Sequence, residues 1–155
     1  MPDVSYVYNC EKGLLDIQFV GNDILLANEL ETAVSVSMFS EARTALPTET
    51  NIQDAISLLS GWWADSFTDE PLGSEAWIYR RSKIVNETLN GLIETYTKSL
   101  QWLIDDGVAE SVVVTAVKSE KIPNTIEIVA RIVKPDEQTE TFKWAFAWGD
   151  IRDAI

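Results

Sequence analysis

One stretch, residues 86–107, carries an apolar stripe that predicts a long helix. Its apolar residues recur at spacings of three and four over about five turns, which places them on one face of an α-helix. They are Leu89, Leu92, Ile93, Tyr96, Leu100, Leu103 and Ile104. Asn86 is a capping residue before the stripe, and Gly107 supplies the left-handed residue that commonly ends a helix. The rest of the chain must therefore cover this face.

The C-terminal third predicts strands that provide this cover. Alternation at period two begins anew at Val112, Ile126 and Phe142. Turn residues separate the three runs, at Pro123-Asn124 and Pro135-Asp136. Such short connections predict a three-stranded antiparallel meander with one face toward the long helix. The aromatic residues expected on that face are Phe142, Trp144 and Phe146.

The N-terminal part predicts strands followed by a helix. Residues 5–8 have the pattern of a first strand, and alternation on both sides of Gly21-Asn22-Asp23 indicates a β-hairpin. Asn28 and Glu31 have the spacing of a capping box, which favours a helix over residues 29–43. A strand is the alternative for part of this stretch, because Val34, Val36 and Met38 also alternate at period two.

The middle of the chain is irregular, with a short helix indicated at residues 54–59 and a second one capped by Ser74. No repeat, low-complexity segment or linker divides the sequence. We therefore predict one α+β domain over residues 1–155. It consists of an N-terminal β-hairpin, two to four helices including one long helix, and a C-terminal three-stranded antiparallel meander packed on the helices.

The charge balance limits the classes of partner. The chain has 25 acidic and 12 basic residues, a formal net charge of −13. Such a surface repels phosphate backbones and anionic lipid headgroups, so we expect neither nucleic acid nor membrane as a partner. An acidic mimic of DNA that blocks a basic protein is one alternative function. The N-terminus lacks the features of a signal peptide, which indicates an intracellular protein.

The residue types needed for common enzyme chemistry are scarce. The sequence has no histidine and only Cys10 as a thiol, which removes histidine-based catalysis and the usual zinc and iron–sulfur ligand sets. We expect no enzyme activity, cofactor, metal or small-molecule substrate. The alternative is a carboxylate hydrolase acting on glycans, because paired carboxylates suffice for that reaction. Its candidate acids are Asp65, Asp69, Glu70 and Glu75.

Three motifs, in this order and spacing, resemble one protein family. They are Gly61-Trp62-Trp63-Ala64-Asp65, then Leu72-Gly73-Ser74 with Trp77 and Arg80, then the run from Leu100 to Ala109 that reads LQWLIDDGVA. Together with the N-terminal hairpin and the closing strands, they resemble the small baseplate proteins of Mu-like contractile-tail phages and prophages. That family is related to the small wedge subunit of other contractile tails.

The resemblance implies a structural component of a tail baseplate, assembled in the host cytoplasm and carried in the virion tail. The implied partners are other baseplate wedge proteins, contacted through helices, and the tail sheath, which adds a strand to the edge of the sheet. Aromatic and arginine side chains are common anchors of such contacts, although core packing is the alternative for each tryptophan. The candidate partner-binding residues are Trp62, Trp63, Asp65, Trp77, Arg80, Trp102 and Asp105.

Overall fold

The computed structural model describes residues 3–4, 6–9, 14–24, 26–27, 29–43, 61, 65, 67 and 72–148. The N-terminal strands are β1 (Asp3–Val4), β2 (Tyr6–Asn9), β3 (Leu14–Ile17), β4 (Phe19–Val20), β5 (Asp23–Ile24) and β6 (Leu26–Ala27). The helices are α1 (Glu29–Phe39), a 3₁₀ helix (Glu75–Arg81), α2 (Asn86–Ser99) and α3 (Trp102–Asp105). The C-terminal strands are β7 (Ser111–Lys118), β8 (Thr125–Val133) and β9 (Thr139–Ala147). This α+β arrangement confirms the predicted fold class.

The C-terminal strands form one antiparallel sheet in the order β7-β8-β9. Even-numbered residues share its inner face, as in the row of paired residues Val114, Ala130 and Phe142. The inner residues of β8 are fully buried and form the centre of the core. They are Ile126, Ile128, Ala130 and Ile132. The predicted meander and its core face are confirmed.

Helix α1 packs against the same inner face. Val34 and Met38 are fully buried, and the ring of Phe39 lies 5.2 Å from that of Trp144 and 5.1 Å from that of Phe146. Residues 29–39 are helical, which confirms the helix prediction over its strand alternative there, whereas residues 40–43 of the predicted helix are not helical and Glu41 forms a β-bridge with Ser74. The helix ends at Phe39: Ser40 N–H still donates to Val36 O, but Ser40 O accepts from Ser74 N–H and Ala42 N–H donates to Ser74 O.

The long apolar stripe forms a helical path from Asn86 to Asp105 with one tightened turn. At that turn the N–H of Leu100 is shared between the carbonyl oxygens of Tyr96 and Thr97, each 3.2 Å away. Leu92, Leu100 and Leu103 are fully buried. Gly107 follows with a φ of +70°, as predicted for the residue that ends the helix.

The N-terminal strands form three short antiparallel ladders, β1 with β6, β2 with β3 and β4 with β5. The β4–β5 ladder turns at Gly21 and Asn22, which confirms the predicted hairpin. The hydroxyl of Thr32 donates to the carbonyl of Val4 at 2.8 Å, so β1 is tied to α1. Asn28 and the helix predicted at residues 54–59 lie outside the described residues. Among the helices of the described part, none is long and apolar enough to span a membrane.

Candidate partner interface

The second motif lies in residues 72–81, called the bracket below, which contact the residues that follow α1. Gly73 and Ser74 run beside this segment, with Ser74 N–H donating to Ser40 O and Ala42 N–H donating to Ser74 O, both at 2.9 Å. The Ser74 hydroxyl also donates to Met38 O at 2.6 Å. Gly73 has a φ of +103°, and a Cβ there would stand 2.5 Å from Ser40 O. This position therefore requires glycine, which explains Leu-Gly-Ser at this point in the sequence.

Trp77 and Arg80 belong to the same bracket, because the 3₁₀ helix that follows Ser74 carries both. The indole N–H of Trp77 donates to Ala42 O at 2.9 Å, and its ring is half-buried. The guanidinium of Arg80 pairs with the carboxylate of Glu41 at 2.5 Å, on the surface. Both side chains therefore have intramolecular partners beside the end of α1. Part of each remains accessible to another molecule.

The third motif also packs against α1. Trp102 donates its indole N–H to the buried hydroxyl of Ser37 at 3.0 Å. Leu100 and Leu103 enter the core on the same path. Asp105 is exposed, and one of its carboxylate oxygens accepts from the amide of Gln101 at 3.2 Å. The tryptophan of this motif thus has a structural role, and its acid lies on the surface.

The first motif and the acidic cluster are described only in part. A Cβ at Gly61 would stand 2.9 Å from Cβ of Arg43, so Gly61 lies directly against the segment after α1. Asp65 accepts from the backbone N–H of Leu72 at 3.0 Å. Glu75 occupies the first turn of the 3₁₀ helix. The remaining members of the two predicted sets, namely Trp62, Trp63, Asp69 and Glu70, lie outside the described residues. Within the described residues, no three His, Cys, Asp or Glu side chains are grouped to hold a metal.

The three motifs therefore converge on residues 37–43, at the end of α1 and just beyond it. Gly61 contacts Arg43, the bracket contacts residues 38–42, and Trp102 contacts Ser37. The structure brings these parts of the motifs together, as expected of a family signature. The spacing of the motifs in the sequence therefore allows these parts to meet at the end of α1.

The sheet has two edge strands, β7 and β9, and among the described strands β7 pairs only with β8. The N–H of Ser119 donates to Thr125 O at 2.8 Å, which marks odd-numbered residues as the ones that bond to β8. The even-numbered residues Val112, Val114 and Ala116 therefore direct their N–H and C=O groups away from the sheet. Among the described residues, none forms a hydrogen bond with these groups.

Strand β7 also lacks the features that usually protect an edge. Its sequence, SVVVTAVK, has no proline or glycine and no charge before Lys118. By contrast, β9 carries Glu140 and Lys143. A long uncharged edge is a ready template for pairing with another strand, and natural proteins normally interrupt such edges with charges, prolines or bulges. The predicted meander implies that β7 and β9 are edge strands, and strand addition at an edge is expected, but the sequence alone does not indicate which of the two edges is used.

The sequence matches the family described as phage protein GP46 over residues 30–139. It is 30% identical over 149 residues to the Mu-like prophage FluMu protein gp46 of Haemophilus influenzae. The aligned residues are 96% of this chain and 98% of that protein. It is 33% identical over 116 residues to the baseplate protein gp46 of Escherichia phage Mu. The aligned residues are 75% of this chain and 77% of that relative. The region that matches the family, residues 30–139, contains all but the first residue of α1, the bracket and strands β7 and β8.

Proposed function

The chain belongs to the phage protein GP46 family, and on that premise we propose that it is a structural subunit of a phage or prophage contractile-tail baseplate. The observation that carries this proposal is the similarity to the baseplate protein of phage Mu over three quarters of the chain. In this role the chain binds other proteins. It requires no catalytic group, cofactor, nucleic acid or small-molecule substrate. It assembles in the host cytoplasm and remains in the virion tail.

The proposed mode of attachment is strand addition along β7. The outward N–H and C=O groups of Val112, Val114 and Ala116 supply the hydrogen bonds, and side chains on the two faces supply specificity. A partner strand also gives hydrogen-bond partners to backbone groups that lack one within the described residues. The partner in this contact is a sheath or wedge subunit that contributes an extended segment.

A second contact is proposed at the junction around the end of α1. Trp77 and Trp102 keep their indole N–H groups bonded inside the chain, so their accessible ring surfaces are what a partner would contact. Arg80 and Asp105 are exposed beside them. Trp62, Trp63 and Asp65 belong to the adjoining motif. We propose that helices of a wedge subunit pack here, because such anchors cluster in stable interfaces.

Proline substitution tests strand addition, since proline removes a backbone N–H. Ala116→Pro removes an outward N–H from β7 without removing a bond to β8. Ala147→Pro is the control, because the N–H groups of odd-numbered β9 residues point away from β8, and Ala147 is the exposed last residue of that opposite edge strand. Proline is tolerated on edge strands when its missing N–H faces away from the sheet. Circular dichroism and thermal unfolding establish that both variants keep the fold.

The readout is co-purification with the baseplate and sheath proteins encoded beside this chain in its own genome. We expect Ala116→Pro to lose the complex and Ala147→Pro to retain it. Loss with Ala147→Pro alone would assign the contact to β9 and contradict the proposed edge. A parent chain that binds none of these proteins would refute the baseplate role itself.

A further inference from the structure

The outer face of the C-terminal sheet, opposite the helices, combines exposed valines with two cations. It consists of the odd-numbered residues, which pair across the three strands in regular rows. The two valines at its β7 side, Val113 and Val117, are 53% and 52% exposed. The residues in the middle of the three strands, to which the name outer face refers below, are Val113, Thr115, Val117, Glu127, Val129, Arg131, Thr141, Lys143 and Ala145.

The charge of this outer face is opposite to that of the molecule. It carries the cations Arg131 and Lys143 and the single acid Glu127, whereas the whole chain has a net charge of −13. Elsewhere, Arg80 pairs with Glu41 and Lys134 pairs with Glu140, a hydrogen bond that also raises the pKa of Lys134. In the part of the chain that the structure describes, Arg131 and Lys143 form no ion pair. Their charges are therefore available to another molecule.

The size of the outer face indicates how it would be used. Three strands about 4.8 Å apart and five residues of about 3.4 Å each cover roughly 250 Å². A stable interface requires about 800 Å² from each partner, so this surface would supply about a third of one. The unpaired edge of β7 adjoins it, and a strand added there would widen it by about a third. The outer face and the β7 edge are thus parts of one continuous surface.

We propose that the outer face binds an acidic protein surface with an apolar centre, on a neighbouring baseplate subunit. This inference rests on the proposed function and names the chemistry of one partner. Carboxylates of that partner lie against Arg131 and Lys143, and its apolar side chains cover Val113, Val117 and Val129. The remainder of this chain is strongly acidic and repels such a partner. The charge pattern therefore determines which face the partner binds, because the outer face attracts its carboxylates and the rest of the surface repels them.

Charge reversal at the two cations tests this contact. The test variant is Arg131→Glu with Lys143→Glu, both at exposed positions. The matched control is Lys83→Glu with Lys98→Glu, which changes the net charge equally at exposed positions outside the sheet. The probes are the purified baseplate proteins encoded beside this chain, and the Kd of each is measured at low and high salt. Thermal unfolding of both variants verifies that the fold is retained.

We expect the test variant to bind one of these probes about tenfold more weakly. The substitutions remove two ion pairs with the partner and place like charges opposite its carboxylates, each with the strength of an ordinary exposed charge pair. The control should bind that probe within about twofold of the parent chain, and its affinity should fall with salt as the parent's does. Val113→Ser with Val117→Ser should weaken the same complex without changing its salt dependence.

Two results would overturn the inference while leaving the baseplate role intact. In the first, the test variant binds as tightly as the parent chain. In the second, the test and control variants lose affinity equally, which would indicate an effect of net charge alone. A parent chain that binds none of the probes would refute the proposed function, and this inference with it.

Discussion

The contact between Gly91 and Tyr79 offers a sharp test of the packing between α2 and the 3₁₀ helix. Gly91 lies inside α2, where glycine is unfavourable by about 1 kcal/mol relative to alanine. A Cβ at this position would stand 2.4 Å from Oη of Tyr79 and 2.5 Å from its Cζ. These separations are far below van der Waals contact, so the ring of Tyr79 occupies the space that an alanine methyl group needs.

The two effects on stability oppose each other in Gly91→Ala. Overpacking against the ring costs about 1–3 kcal/mol, and the gain in helix propensity returns about 1 kcal/mol. We therefore expect a net loss of up to about 2 kcal/mol in the parent chain. In the background Tyr79→Ala the methyl group has room, and the same substitution should stabilise the protein by about 1 kcal/mol.

A double-mutant cycle measures this reversal of sign. The four proteins are unfolded in urea and followed by tryptophan fluorescence, for which the chain has six tryptophans. The coupling energy between the two positions should be about 1–3 kcal/mol. An equal effect of Gly91→Ala in both backgrounds would refute the reasoning, because it would show that Tyr79 does not hold this space.

Two further substitutions test the core and the junction at the end of α1. Met38→Ala should lower the free energy of unfolding by about 2–5 kcal/mol, because Met38 is fully buried between the helices and the sheet; a loss below 1 kcal/mol in urea unfolding would contradict that placement. Trp102→Phe should cost about 1 kcal/mol or more, since it leaves the hydroxyl of Ser37 without the indole N–H that it accepts from. Ser37→Ala in the Trp102→Phe background should then be nearly neutral, and a full additional loss would argue against that hydrogen bond.

The elements that sequence periodicity predicted well are those with one buried face. Strands β7–β9 and the path from α2 to α3 each bury one side, so their apolar residues recur at period two or near 3.6. Helix α1 is different, because Thr32, Ser35 and Ser37 are buried together with Val34 and Met38. A helix buried on several sides has no single stripe, which explains why its sequence also allowed a strand.

The candidate site could be predicted only in part. The motif residues are recognisable in the sequence, but their contacts join positions far apart, as Trp77 does with Ala42 and Trp102 with Ser37. Only the fold shows that these motifs meet at the end of α1. The predicted meander already implies that β7 and β9 are edges, but the register that groups Arg131 and Lys143 with exposed valines on one face follows only from the strand pairing.

The account depends most on the claim that β7 pairs with a strand of another tail protein. A cryo-electron microscopy reconstruction of the assembled tail that contains this chain tests it directly. The account predicts a fourth strand beside β7, about 4.8 Å away and hydrogen-bonded to Val112, Val114 and Ala116. A reconstruction in which β7 of the incorporated subunit faces solvent along its whole length would contradict it.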